Sequence, residues 1–142
     1  MNVDFGVLTE TKVPDNVYPR RFADYTIVAT TAVSPHQGEV SLFFRENTCY
    51  QVESTRRWGH NVISFAVTTG KRQIGFLWAY IPPADTTTLL HLQKALDYIP
   101  DVFPLFLLGD LNVDLRSPSD EQGAEIAAII AARGLHDARP HF

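Results

Sequence analysis

Apolar and polar positions along the 142-residue chain repeat with two different periods, and the change from one to the other divides it. Up to Ile81 the apolar residues come in short runs rich in β-branched and aromatic side chains, the mark of strands. These runs are Phe5, Val7 and Leu8 before Thr9-Glu10, then Tyr25 to Val33, Glu39 to Arg45, Asn61 to Thr69 and Gln73 to Ile81. Gly70-Lys71-Arg72 separates the last two and suits a short hairpin loop. Sequential strands joined in this way predict a largely antiparallel sheet.

Beyond Ile81 the period lengthens. Leu89, Leu92, Leu96 and Ile99 recur at spacings of 3, 4 and 3, the stripe of an amphipathic helix, and Pro100 stops it. Pro104 to Leu108 is unbroken apolar chain and predicts a buried strand. Ser117-Pro118-Ser119-Asp120-Glu121 then reads as a helix start with Ser117 as N-cap and Pro118 in the first helical position. Ile126, Ile129 and Ile130 supply that helix's apolar stripe, and Gly134 suits its C-terminal cap. Several strands, then helix, strand and helix, predict an α+β layered architecture in one domain over residues 1–142, since no repeat or linker divides the chain.

Composition narrows the function. The chain is 45% hydrophobic and 20% charged, ordinary values for a protein with one packed core. Its net charge of −4 and pI near 5.6 argue against a coat that grips nucleic acid by charge alone, for which pI exceeds about 9. A site that handles phosphate esters through a hard divalent cation is itself rich in carboxylates, so the acidity leaves such an enzyme open. No apolar run reaches the roughly 20 residues that span a bilayer. With no signal-like start and a single cysteine, Cys49, the expectation is an intracellular protein, nuclear or cytoplasmic and not secreted.

Three predicted strands end in polar groups. "FGVLTETK" delivers Glu10, "GFLWAYIPP" delivers Tyr80 before two prolines, and "LFLLGDLNVDL" passes at Gly109 into an alternation that presents Asp110 and Asn112. If the chain stays extended past Gly109, Asp110 and Asn112 project to one side. An ordinary turn reads equally well there, because Asp and Asn favour turns. Singly, Glu10 reads as a solvated carboxylate and Tyr80 as an aromatic at the core's edge; the combination is what suggests a site.

"VLTETK", "AYIPP" and "LLGDLNVDL", in this order, resemble the endonuclease/exonuclease/phosphatase family of metal-dependent phosphodiesterases, as does "QGEVSLFFR" at 37–45. The version with "GDLN" and a Tyr-x-Pro-Pro segment is most similar to abasic-site endonucleases and the endonuclease domains of non-LTR retrotransposons. The resemblance implies a partial four-layer α/β/β/α sandwich of mostly antiparallel sheets flanked by helices. It implies hydrolysis of phosphodiesters in nucleic acid, DNA in the first instance, with Glu10 binding Mg²⁺ or Mn²⁺. Asp110 would activate the attacking water, while Asn112 and Tyr80 would hydrogen-bond the phosphate. Alternatives within the resemblance are a phosphatase or phospholipase of the same fold, or a catalytically dead relic serving as an interaction module.

The chain departs from the family's pattern at both ends. The asparagine expected on a strand before Glu10 has no counterpart, Asn2 included, and neither has the terminal Asp-His pair. Asp137 resembles the acidic residue that orients the missing histidine, and His36, His60, His91, His136 and His141 read as surface or helix residues. The expectation is an incomplete domain with open sheet edges through which copies associate. Arg20-Arg21, Arg56-Arg57 and Lys71-Arg72 read as solvated pairs in loops that could meet phosphates. Trp58 reads as packing or a base-stacking surface, Trp78 as core, and Cys49 as a small buried or half-buried side chain.

Overall fold

Residues 3–9, 21–29, 40–46, 48–101 and 103–138 are described by the computed structural model, and the two periods of the sequence become two kinds of layer in them. The first sheet holds β1 (Phe5–Thr9), β2 (Arg21–Phe22), β3 (Tyr25–Ala29) and β4 (Val40–Arg45) in the order β1-β4-β3-β2, all neighbours antiparallel. The second holds β5 (Gln51–Trp58), β6 (Val62–Thr69), β7 (Arg72–Tyr80) and β8 (Leu105–Asp110) in chain order. β5, β6 and β7 are antiparallel, but β8 runs parallel to β7 because α1 (Thr86–Tyr98) carries the chain back between them.

Sheet 2 is covered on both faces, which explains why β6 and β7 read as nearly continuous apolar runs. Ile63, Phe65 and Val67 meet Val40 and Leu42 of sheet 1, with Phe5, Val7, Phe76, Trp78 and Tyr80 around them. Phe65 and Phe76 stack at 5.3 Å between centroids, and the Phe5 ring sets its edge against both. On the opposite face Val62, Leu77, Ala79 and Ile81 pack under Leu89, Leu92 and Leu96 of α1 and Ile126 and Ile130 of α2 (Glu121–Ala132). Leu92 and Leu77 are fully buried, and emptying either position to alanine costs about 2–5 kcal/mol. The described residues thus form sheet, sheet and helix layers, three of the four that the sequence leads one to expect.

Both helices are capped by aspartates. Asp85 accepts the Thr88 N–H at 2.9 Å and starts α1. Asp120, not Ser117, caps α2, accepting the Gly123 N–H at 2.7 Å. The helix therefore starts later than expected, because Ser117 is occupied in a turn with its N–H on the Asp114 carbonyl. At the far end Gly134 adopts φ +75°, its N–H bonds Ala131 O, and the Leu135 N–H reaches back to Ile130 O in a Schellman cap. Arg133 then donates to Ile99 O at 2.7 Å and pairs with Asp101, tying the C-terminal ends of the two helices together.

Three strands differ from expectation, the first being β2, a two-residue strand that takes Arg21 out of the expected loop. β5 lies where the sequence suggests loop, so Arg56, Arg57 and Trp58 are strand residues. Its polar residues fall on both faces, and a bulge between Glu53 and Arg56, with Ser54 at φ +55°, breaks the alternation that would have marked it. β8 is not a buried strand but an edge, with Phe106 50% and Leu108 41% exposed. Cys49, in the β4–β5 connection, is exposed rather than buried.

Candidate active site

Parallel pairing sets Tyr80 directly opposite Asp110 at the ends of β7 and β8. Paired residues of neighbouring strands project from the same face, about 4.8 Å apart, so phenol and carboxylate stand side by side. Tyr80 is half-buried against the inter-sheet core, whereas Asp110 is exposed. The backbones are locked around them, with the Ile81 N–H on Asp110 O and the Tyr80 N–H on Asn61 O, both at 2.9 Å. Gly109 makes the approach of the strands feasible. It sits at φ +125°, and a Cβ there would lie 1.9 Å from the Ala79 carbonyl oxygen.

Beyond Asp110 the strand ends, and the alternation in "GDLNVDL" is not extended chain. Asp110 Oδ1 accepts the Asn112 N–H at 2.9 Å, an Asx turn, and Asn112 takes φ +49°, a region asparagine tolerates. Asp114 repeats the device on the Arg116 N–H at 3.0 Å. Asp110 and Asn112 are therefore brought together by a turn rather than by strand geometry, the second of the two readings the sequence leaves open. Leu111, Val113 and Leu115 pack into the helix-side core, so the apolar half of the alternation anchors the turn. The Asn112 amide then folds back over β7, donating one hydrogen to Ile81 O at 2.8 Å. Its second amide hydrogen remains for another acceptor.

The loops behind this pair are tied as well. Gln122 Nε2 donates to Pro82 O at 3.3 Å, linking α2 to the Tyr-x-Pro-Pro segment. Asn61, only 3% exposed, donates to Thr88 Oγ1, which in turn donates to Asp85. One residue thus holds both the end of β7 and the start of α1. Asn61 was missed in the sequence because a strand-opening asparagine looks like any turn former, and its partner lies 27 residues away.

Glu10 lies outside the described residues, as do Arg20, His36 and His141, and β1 is described as far as Thr9. Tyr80, Asp110 and Asn112 are brought together. Among the described residues no three His, Cys, Asp or Glu side chains cluster as a metal site. Among the described residues at this strand end the carboxylate is that of Asp110, whose Oδ1 accepts a backbone N–H. Elsewhere, Asp137 faces Arg116 Nε at 3.8 Å, and the His91 ring lies against Gly59. Trp58 is half-buried with its indole N–H on Ser64 Oγ, and Trp78 lines the inter-sheet core.

An α+β sandwich of two four-stranded, mostly antiparallel sheets with helices packed on one of them is the class of protein defined by these features. Among solved structures the fold is similar to the endonuclease domain of TRAS1, a telomere-specific non-LTR retrotransposon, with a TM-score of 0.67 and 15% sequence identity. The match covers 84% of this chain and 57% of that one, so the chain spans little more than half the length of its structural neighbour. No family model and no curated protein sequence matches the chain.

Proposed function

We propose that the chain belongs to a metal-dependent phosphodiesterase of the endonuclease type, related to the endonuclease/exonuclease/phosphatase family, and that its substrate is nucleic acid, DNA in the first instance. The observation that carries this reading is the pairing of Tyr80 with Asp110 across β7 and β8, with the Asn112 amide folded back onto the end of β7. The likeness in fold to a retrotransposon endonuclease domain supports it.

Phosphodiester hydrolysis needs an oriented water, donors for the phosphate oxygens as charge builds, and a path for the departing alkoxide. Asp110, exposed at the strand end, accepts the proton of a water aligned on phosphorus. The P–O bond opposite that water breaks, and the alkoxide leaves as an alcohol after taking a proton from solvent. The second amide hydrogen of Asn112 and the Tyr80 hydroxyl donate to non-bridging oxygens. Because Ile81 O already fixes the Asn112 amide and Asn61 O fixes the Tyr80 backbone, these donors need little reorganisation. Mg²⁺ or Mn²⁺, which Glu10 would hold, would neutralise phosphate charge when bound.

The test is nicking of supercoiled plasmid with and without Mg²⁺. Asp110→Ala should lower the rate about 10²–10⁴-fold, the range for a lost general base, and EDTA should abolish nicking. Nicking that survives both would refute the site; turnover of small phosphate esters without any effect on DNA would turn the reading to the phosphatase alternative. We further propose that copies associate through the open edge of β8, where Phe106 and Leu108 stand exposed, and that the protein works in the nucleus or cytoplasm, where its substrate lies. No helix among the described residues is long and apolar enough to cross a membrane.

A further inference from the structure

The bulge in β5 changes what the strand's cations face. Glu53 pairs with Ala66, and in unbroken register Arg56 would oppose Ile63, inside the sandwich. The extra residue at Ser54 shifts the pairing so that Arg56 opposes Ser64, on the helix-covered face. There its guanidinium lies over two rings at once, 4.4 Å from the centroid of Trp58 and 4.5 Å from that of Tyr98. The rings meet edge to face at 5.4 Å, Trp58 is anchored by its N–H on Ser64 Oγ, and Tyr98 is 58% exposed. Arg56 itself is exposed, and none of the salt bridges among the described residues includes it.

A guanidinium held over aromatic rings keeps its charge and its N–H donors. Such a group is already held in place, so less side-chain freedom is lost when phosphate oxygens dock on its donors. Trp58 ends β5 at the same end of sheet 2 as Tyr80 and Asp110, since Trp58 pairs with Val62, Val62 with Ala79 and Ala79 with Gly109. In the plane of the sheet three strand spacings of about 4.8 Å, roughly 14 Å, separate the backbones of Trp58 and Gly109, with Arg56 on the helix-covered face and Asp110 on the other.

We propose that Arg56, held by Trp58 and Tyr98, is a phosphate-binding site for the backbone of the nucleic acid as it passes the end of sheet 2 that bears Asp110; the proposal rests on the function proposed above. It names the part of the substrate that β5 holds. The other exposed basic pair of sheet 2, Lys71 and Arg72, lies in the β6–β7 hairpin at the opposite end of the sheet and serves as its internal control.

The experiment measures binding of a fluorescent DNA duplex by the Asp110→Ala protein, in which cleavage is slowed, across a series of salt concentrations. Adding Arg56→Ala should weaken binding about three- to tenfold at moderate salt and reduce the slope of log K against log salt by about one. Arg56→Lys keeps the charge but not the fork and should restore the slope more than the affinity. Lys71→Ala should change neither, and thermal melts establish that each variant is folded. An unchanged slope in folded Arg56→Ala protein overturns this site alone. No DNA binding by the Asp110→Ala parent overturns it together with the functional reading beneath it.

Discussion

β5 and β8 are the two outer strands of sheet 2, and they are built on opposite principles. β5 carries charge on both faces and a bulge with Ser54 in the left-handed region, features that deter another strand from adding to its edge. β8 is apolar, stays in register with β7 over six consecutive pairs, and exposes Phe106 and Leu108. The difference follows from what each strand must deliver. A single extra residue in β8 would turn Asp110 to the other face, away from Tyr80, so the strand that bears the candidate catalytic carboxylate has no room for the protective bulge. In β5 the bulge protects the edge and also brings Arg56 onto its rings. One edge keeps its register and stays open, whereas the other gives up its register and is closed.

Substitutions can break this contrast, starting at the tip of β8. Gly109→Ala would drive a methyl into the Ala79 carbonyl from a backbone conformation that alanine avoids, and should cost about 3–4 kcal/mol, read as a fall in the urea midpoint. Asn112→Ala removes the bond to Ile81 O and should cost about 1–2 kcal/mol. It should also slow plasmid nicking about 10²–10³-fold, the loss expected for one preorganised donor; unchanged nicking in folded protein would remove Asn112 from the site.

Smaller effects test the edges themselves. Leu108→Lys places a charge on the open edge of β8 and should shift size-exclusion elution toward monomer, with under about 1 kcal/mol change in stability. If elution does not move while the protein associates, β8 is not the surface through which it does so. On β5, Ser54→Gly relieves a strained φ without altering the pairing and should raise stability by about 0.5–1 kcal/mol in the same urea titration. A loss instead would mean that the bulge depends on the serine side chain.

How legible these features were depended on whether they obey a period. β6, β7, α1 and the core of α2 were evident because each buries a face, and burial imposes spacing: Ile63, Phe65 and Val67 toward sheet 1, Leu89, Leu92 and Leu96 toward sheet 2. β5 was hidden because a charged, bulged edge has no buried face to enforce alternation. The parallel entry of β8 and its exposure were equally hidden, since an apolar run looks the same whether one or both of its faces are covered.

At the candidate site the division is sharper still. The residue types at Tyr80, Asp110 and Asn112 were evident from strand ends that stop in polar groups, and their local order alone determined that chemistry was worth seeking there. Only the folded chain decided that Tyr80 and Asp110 face one another, that Asn112 arrives by a left-handed turn instead of an extended step, and that Asn61 and Gly109 make this arrangement possible. Local pattern reports which face of an element avoids water, because that preference acts residue by residue. Which elements become neighbours depends on contacts between distant segments, such as the hydrogen bond that carries Asn112 back to Ile81 across 31 positions.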